Sequence, residues 1–194
     1  MSVENARHTV GTDAPAGTRR RTLVQRWPAA LGLGVAVVPL MTGLADRDTL
    51  AIGVTAAALC YLAAAALGRP WVAWASIVGV PLVVVAGELV GLPRWATLGL
   101  TGLALVAVGL RSGTRRPTLA QAGALAGFGA LAVIALNLDP GVGLVVAGLT
   151  LAGHGVWDVI HYHRDEVVPR SLAEACLVLD VALGLGCIAL AVTR

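Results

Sequence analysis

A small group of ionisable side chains lies inside otherwise apolar sequence near the C-terminal end of the chain. His154, Asp158 and His161 belong to the stretch HGVWDVIH, and Asp180 follows within the next apolar run. On a helix with about 100° between residues, the first three side chains form one polar stripe, whereas His163 falls on the opposite face. Imidazole and carboxylate groups bind zinc and act as general acids and bases, so this stripe is a candidate catalytic site.

The spacing along the chain predicts that Asp180 lies at the same depth as His154. A short turn, Arg164 to Arg170, joins the two apolar runs; His154 lies nine residues before the end of the first run, and Asp180 lies nine residues after the start of the second. At about 1.5 Å per helical residue, both side chains would be roughly 13 Å from the same face of the membrane. We therefore expect a His154–Asp180 pair on one hairpin, with Asp158 and His161 nearer that face.

Ionisable groups inside a membrane are costly, at about 2.5–3.5 kcal/mol for an aspartate at mid-span, and so these need an explanation. One explanation is structural: the carboxylates pair with the histidines and hold the hairpin together, and Trp157 packs beside them or donates to a carboxylate. A second is a proton or ion path through the bundle, with Glu88 and Asn137 as its other polar stations. Neither explanation requires an enzyme.

The third explanation is catalysis by His154, Asp158, His161 and Asp180. His154, Asp158 and His161 are the candidate ligands of a divalent metal such as zinc, with Asp180 as the alternative carboxylate. A bound metal would make a water molecule nucleophilic towards a lipid ester, amide or phosphate. Without metal, a His–Asp dyad can act as a general base. The specific activity stays open between a structural site, a membrane-embedded hydrolase or other lipid-modifying enzyme, and a proton-coupled transporter.

The elements that must position these side chains are seven apolar runs. Of the 194 residues, 57% are hydrophobic and 13% are charged, which excludes a disordered chain, a disulfide-stapled secreted domain and an ordinary water-soluble enzyme. The runs are long enough for membrane helices and lack the alternation of barrel strands. They contain four charged residues, Glu88, Asp158, Glu174 and Asp180. The runs are 28–45, 49–68, 71–92, 95–110, 119–137, 141–163 and 171–193. This pattern predicts an all-α, polytopic transmembrane bundle with seven spans.

Arginine predicts the orientation of these spans, because the chain contains no lysine. With the N-terminus inside, eleven arginines lie in cytoplasmic segments and three in outer segments. We therefore expect an N-in/C-out protein of the plasma (inner) membrane, from a bacterium. Residues 1–26 are expected to be a disordered basic cytoplasmic tail, and 27–194 the seven-helix transmembrane domain. The net charge of +3 then reflects contact with the lipid bilayer and not with nucleic acid, and a lipid is the expected class of substrate.

Two further patterns concern packing and helix ends. Gly123 and Gly127 are four residues apart and predict a surface that lets a neighbouring helix approach closely. Ser171 and Glu174 have the spacing of a capping box, as do Thr118 and Gln121, so Glu174 is expected to cap its own helix. The three cysteines lie inside spans and are expected to be unpaired packing residues.

Overall fold

The computed structural model describes residues 25–193, and within that range the protein is an all-α bundle of seven helices. All seven apolar runs form helices, which confirms the predicted helical bundle. The predicted N-terminal tail lies almost entirely outside the described residues. The helices are α1 (Trp27–Thr42), α2 (Arg47–Leu67), α3 (Val72–Leu89), α4 (Arg94–Arg111), α5 (Arg115–Asn137), α6 (Pro140–Arg164) and α7 (Arg170–Thr193).

Five of these helices are long and apolar enough to cross a membrane, namely α2, α3, α5, α6 and α7. The other two fall outside that set: α1 has 16 residues, and α4 begins and ends with arginine. Large apolar side chains on the outer surfaces are well exposed, including Val38, Leu82 and Leu103. Such a surface is suited to lipid and not to water.

Helix α2 is the centre of the bundle. It packs against α3, α4, α5 and α6, and 72% of its most apolar window is buried. Its last turns consist largely of alanine, which lets the surrounding helices approach closely. The Asp46 carboxylate accepts a hydrogen bond from the Thr49 backbone N–H at 2.7 Å and caps the start of the helix. Gly68, with φ of 62°, ends it.

The hairpin of α6 and α7 is the most extensive helix pair, and α1 packs on the outside of α7. Helices α6 and α7 approach each other closely at Gly148 and Gly184, where an added Cβ on either glycine would lie within 2.7 Å of the other's carbonyl oxygen. The prediction of a close approach at Gly123 and Gly127 is wrong. Among the described residues, nothing lies within 4 Å of a Cβ built at either position. Both glycines face outwards, because α5 packs through other residues.

The expected cap at the start of α7 is also corrected. Glu174 forms an ion pair with Arg26 at 3.7 Å, and the Ser171 hydroxyl accepts a hydrogen bond from the Trp74 indole at 3.2 Å. These contacts tie α7 to the start of α1 and to α3. Cys60, Cys176 and Cys187 are free thiols, as predicted.

Candidate functional site

The α6–α7 hairpin brings His154 and Asp180 into direct contact. The distance from His154 Nδ1 to Asp180 Oδ2 is 2.8 Å, and both side chains are buried. The pair forms because the antiparallel helices place the two residues at equal depth, and because Gly148 and Gly184 let the backbones approach. The pairing predicted from the spacing is thus present in the structure.

Asp158 and Tyr61 complete the buried group. Asp158 is one turn after His154, and its Oδ1 lies 3.7 Å from His154 Nδ1. The Tyr61 hydroxyl, from the central helix α2, donates a hydrogen bond to Asp158 Oδ1 at 2.5 Å. We call His154, Asp158 and Asp180 the His/Asp cluster. Each offers one ligand atom, and these atoms lie within 4.8 Å of one another.

Two atoms of the His/Asp cluster have no hydrogen-bond partner among the described residues: His154 Nε2 and Asp158 Oδ2. His154 and Asp158 are both 0% exposed. When Asp180 is ionised, His154 Nδ1 donates to it and Nε2 keeps its lone pair. The Phe128 ring packs against this imidazole with a centroid distance of 4.8 Å. A buried lone pair and a buried carboxylate oxygen without partners are unusual, and a ligand, an ordered water or a reactive role would account for them.

His161 lies three residues after Asp158 on α6 and belongs to a separate hydrogen-bond network. The Trp157 indole donates to Gln121 Oε1 at 3.0 Å, so the Gln121 nitrogen must donate to His161 Nε2, at 2.9 Å. His161 Nδ1 then carries the proton and donates to the Trp157 carbonyl oxygen at 2.8 Å. Both ring nitrogens of His161 are therefore engaged. The structure does not bring His161 into the His/Asp cluster, although its ring contacts the Tyr61 ring at 4.9 Å.

The remaining polar candidates lie away from the His/Asp cluster. Glu88 forms an ion pair with Arg94 beyond the end of α3, and the Asn137 amide donates to the Val133 carbonyl of its own helix. His163 is exposed. Among the described residues, neither Glu88 nor Asn137 contacts the cluster. These two side chains therefore do not extend the cluster into the predicted proton or ion path.

An apolar cavity of about 550 Å³ reaches the cluster from one side. Asp180 is the only charged residue in its wall, and the rest of the wall is largely aliphatic, with contributions from α1, α2, α3, α6 and α7. We call this space the apolar cavity. Its volume is within the range of small-molecule sites, about 300–1,000 Å³. Asp180 is 1% exposed, so the apolar cavity reaches the edge of the cluster at this residue.

Sequence reasoning missed Tyr61 and the site role of Gln121. Tyr61 is one aromatic residue within an alanine-rich helix, and no local pattern distinguishes it. Gln121 is a polar residue inside an apolar run, which was a usable signal, but its spacing from Thr118 fitted a helix cap. Both residues come from helices distant in sequence, so only the packing of α2 and α5 against α6 reveals them.

The geometry permits two kinds of chemistry. Two ligands about 2.1 Å from one zinc ion lie at most about 4.2 Å apart. The ligand atoms of the His/Asp cluster lie within 4.8 Å of one another, so the three side chains are near enough to hold one ion after a small adjustment. While His154 Nδ1 donates to Asp180, the histidine atom free for a metal is Nε2. The same His154–Asp180 pair, with Nε2 unpartnered, is also the arrangement of an imidazole base oriented by a carboxylate. No family model, curated protein or solved structure matches the chain. The choice between these chemistries therefore depends on the geometry of the cluster.

Proposed function

We propose that the protein is a membrane-embedded hydrolase acting on a lipid, with a divalent cation such as zinc held by His154, Asp158 and Asp180. The observation that carries this proposal is the pair of buried, unpartnered atoms, His154 Nε2 and Asp158 Oδ2. A purely architectural cluster is expected to satisfy its polar atoms internally, because an unpaired buried polar group costs about 1–3 kcal/mol. A bound cation or a reacting water would supply the missing partner.

Tyr61 and the apolar cavity have roles in this proposal. The hydrogen bond from Tyr61 fixes the Asp158 carboxylate, as groups behind metal ligands commonly do. The apolar cavity receives the hydrocarbon chain of the lipid, and its ester or phosphate group lies at the Asp180 end. Water adds to the carbonyl carbon or phosphorus, the bond to the leaving oxygen breaks, and that oxygen takes up a proton. One water is consumed, and an acid and an alcohol are released.

Metal analysis tests the cation directly. We expect purified wild-type protein in detergent to contain about one equivalent of zinc or another divalent metal, and His154→Ala to contain almost none. His163→Ala is the matched control, because it removes an exposed histidine from the same helix. Metal that is lost equally from both variants, or retained in both, would contradict a site at the His/Asp cluster.

A metal-free general base formed by His154 and Asp180 is the second candidate mechanism, favoured by the 2.8 Å contact and the unpartnered Nε2. A lipid extract incubated with the protein and analysed by mass spectrometry separates the two mechanisms. Lipid hydrolysis that is abolished by a chelator and restored by added metal supports the cation. Hydrolysis that resists the chelator but is lost in His154→Ala supports the general base.

We further propose that all seven helices cross the plasma membrane, with the N-terminus in the cytoplasm. The excess of arginine in the inner segments supports this orientation. If every helix crosses the membrane, the start of α2 and the end of α5 lie on the same side. In agreement, Arg47 at the start of α2 donates to the Leu138 carbonyl just after α5, at 2.6 Å. A reporter enzyme active only outside the cytoplasm should be active when fused to the C-terminus. Activity of a cytoplasm-specific reporter there would refute the seven-span topology.

A further inference from the structure

A second large cavity lies at one end of the bundle, where α2 ends, α5 begins and α6 ends. Its volume is about 510 Å³. Arg116 and Arg164 lie in its wall, together with Gln121, Trp157 and His161. We call it the arginine cavity. It contains none of the three residues of the His/Asp cluster, so it is a separate candidate site.

The buried part of the arginine cavity is neutral and fixed. Gln121 and His161 are 2% and 5% exposed, and the hydrogen bonds among Gln121, Trp157 and His161 use both ring nitrogens of the histidine. The positive charge comes from the two arginines, which form no ion pair with any described residue. One carboxylate, Glu166, also lines the cavity. Two unpaired cations against one anion leave the cavity with a net positive charge.

One part of the wall of the arginine cavity has an unusual backbone. Val167 lines the cavity with φ of 70°, a region that β-branched residues rarely adopt. Its neighbour Val168 is 1% exposed and anchors the loop in the core. Val168 therefore holds this part of the cavity wall in a defined position.

We propose that the arginine cavity binds a phosphate-bearing group, from either an anionic phospholipid or a soluble phosphate compound. The planar guanidinium matches the geometry of phosphate and donates two hydrogen bonds to it. In the proposed topology, the cavity lies at the cytoplasmic surface of the membrane, where lipid phosphates are located. The binding site goes beyond the proposed hydrolase, because it needs neither the metal nor the reaction.

Calorimetry in detergent tests this proposal with three probes: dioctanoylphosphatidylglycerol, inorganic phosphate and uncharged dioctanoylglycerol. We expect Arg116→Gln and Arg164→Gln each to raise the Kd of phosphate-bearing probes about tenfold, which corresponds to about 1.4 kcal/mol. Arg115→Gln is the matched control, since Arg115 is adjacent and exposed but does not line the cavity. Glu166→Gln should lower the Kd, because it removes the one carboxylate.

The outcomes separate the sources and the alternatives. Binding of the phospholipid alone identifies a lipid headgroup, and binding of inorganic phosphate as well identifies a soluble phosphate compound; both support the proposal. An equal effect of Arg115→Gln would show diffuse attraction to a charged surface and overturn it. Equal binding of dioctanoylglycerol, or no binding of any probe, would also overturn it. Metal content should stay unchanged in all four variants, so a failure here is distinct from a failure of the metal site.

Discussion

Tyr61 connects the central helix α2 to the His/Asp cluster through a single hydrogen bond. Its hydroxyl lies 2.5 Å from Asp158 Oδ1, and its ring packs edge-on against His154 at a centroid distance of 5.6 Å. With Asp158 Oδ1 engaged in this way, Oδ2 is the oxygen left for a ligand. Tyr61 is thus a positioning residue, since it acts through the carboxylate.

Tyr61→Phe should weaken metal binding by about 10–100-fold, because it removes the group that orients Asp158 while keeping the aromatic ring. Competition with a metal chelator of known affinity measures this change. Tyr162→Phe is the control, as Tyr162 is 38% exposed at the end of α6. Unchanged affinity in Tyr61→Phe would show that the hydrogen bond does not position a ligand.

Asp180→Asn distinguishes a functional cluster from an architectural one. Two buried carboxylates lie with their ligand atoms within 4.8 Å of each other, so removal of one negative charge relieves repulsion. We expect Asp180→Asn to bind no metal and to have a Tm in detergent equal to or above that of wild type stripped of its metal, since bound metal would itself stabilise wild type. Active sites are often strained in this way.

The control for that measurement is Asp48→Asn, which changes an exposed aspartate in the first turn of α2. With all proteins stripped of metal, a Tm of Asp180→Asn several degrees below both wild type and this control would support the structural explanation. In that case the His154–Asp180 bond would serve chiefly to hold α6 and α7 together.

The residue pairs that the sequence predicts are those whose helices are connected by a short turn. His154 and Asp180 follow from counting residues on either side of one turn. The contacts of Tyr61 and Gln121 do not, because the rotation of α2 and α5 about their own axes depends on packing against every neighbouring helix. The helical spacing puts His161 on the same face of α6 as His154, but its side chain contacts Gln121 of α5 and not the His/Asp cluster.

At the scale of elements, the α6–α7 hairpin depends on small residues at its crossing point. A Cβ at Gly184 would lie 2.5 Å from the Gly148 carbonyl oxygen and 2.9 Å from the Ala152 nitrogen. These are backbone atoms, which cannot move aside as a side chain can. The crossing also sets the register of His154 against Asp180.

Gly184→Ala should therefore lower the free energy of unfolding by about 1–3 kcal/mol, the usual cost of overpacking, and should also reduce metal affinity. Reversible unfolding in mixed detergent measures the first effect. Gly153→Ala is the matched control on α6, since no described atom lies within 4 Å of its added Cβ. A loss of stability that is equal in both variants would mean that the crossing is not the limiting contact.

The helices themselves were predictable, and their packing surfaces were not. Apolar runs predict each helix to within a few residues, because the membrane requires long continuous apolar segments. Gly123 and Gly127 have the spacing of a close-packing surface on one helix, but the close crossing is made by Gly148 and Gly184, which lie on two different helices. A spacing of small residues marks a helix that can approach another closely; whether a partner lies on that side is decided by the whole bundle.

At the scale of the whole molecule, the apolar cavity exists because α1 packs on α7 while α3 packs on α2 and α4. No single helix encloses it, so hydropathy along the chain carries no sign of it. It reaches the His/Asp cluster at Asp180, whereas the arginine cavity meets the neighbouring Gln121–His161 network. The molecule thus has an apolar cavity and a positively charged cavity, each of which meets its own polar group of side chains.

The apolar cavity can be filled without touching the cluster. Gly53 lines it, and no described atom lies within 4 Å of a Cβ built there, so a large side chain has room to enter. Gly53→Phe should reduce lipid hydrolysis and the amount of lipid that copurifies by at least about tenfold, with an unchanged metal content. Mass spectrometry of extracted lipid and elemental analysis of the same sample measure both quantities.

Gly34→Phe is the matched control, because Gly34 on α1 is equally open but does not line the cavity. A similar loss in both variants would indicate a general effect of an added aromatic ring on a lipid-facing surface. Normal hydrolysis in Gly53→Phe would exclude the apolar cavity as the place of the hydrocarbon chain, and a substrate would then have to reach Asp180 by another route. If hydrolysis is lost in Gly53→Phe but not in Gly34→Phe, and the metal is retained, then substrate access and metal binding are separate. That is the result expected of a cavity that meets the cluster only at Asp180.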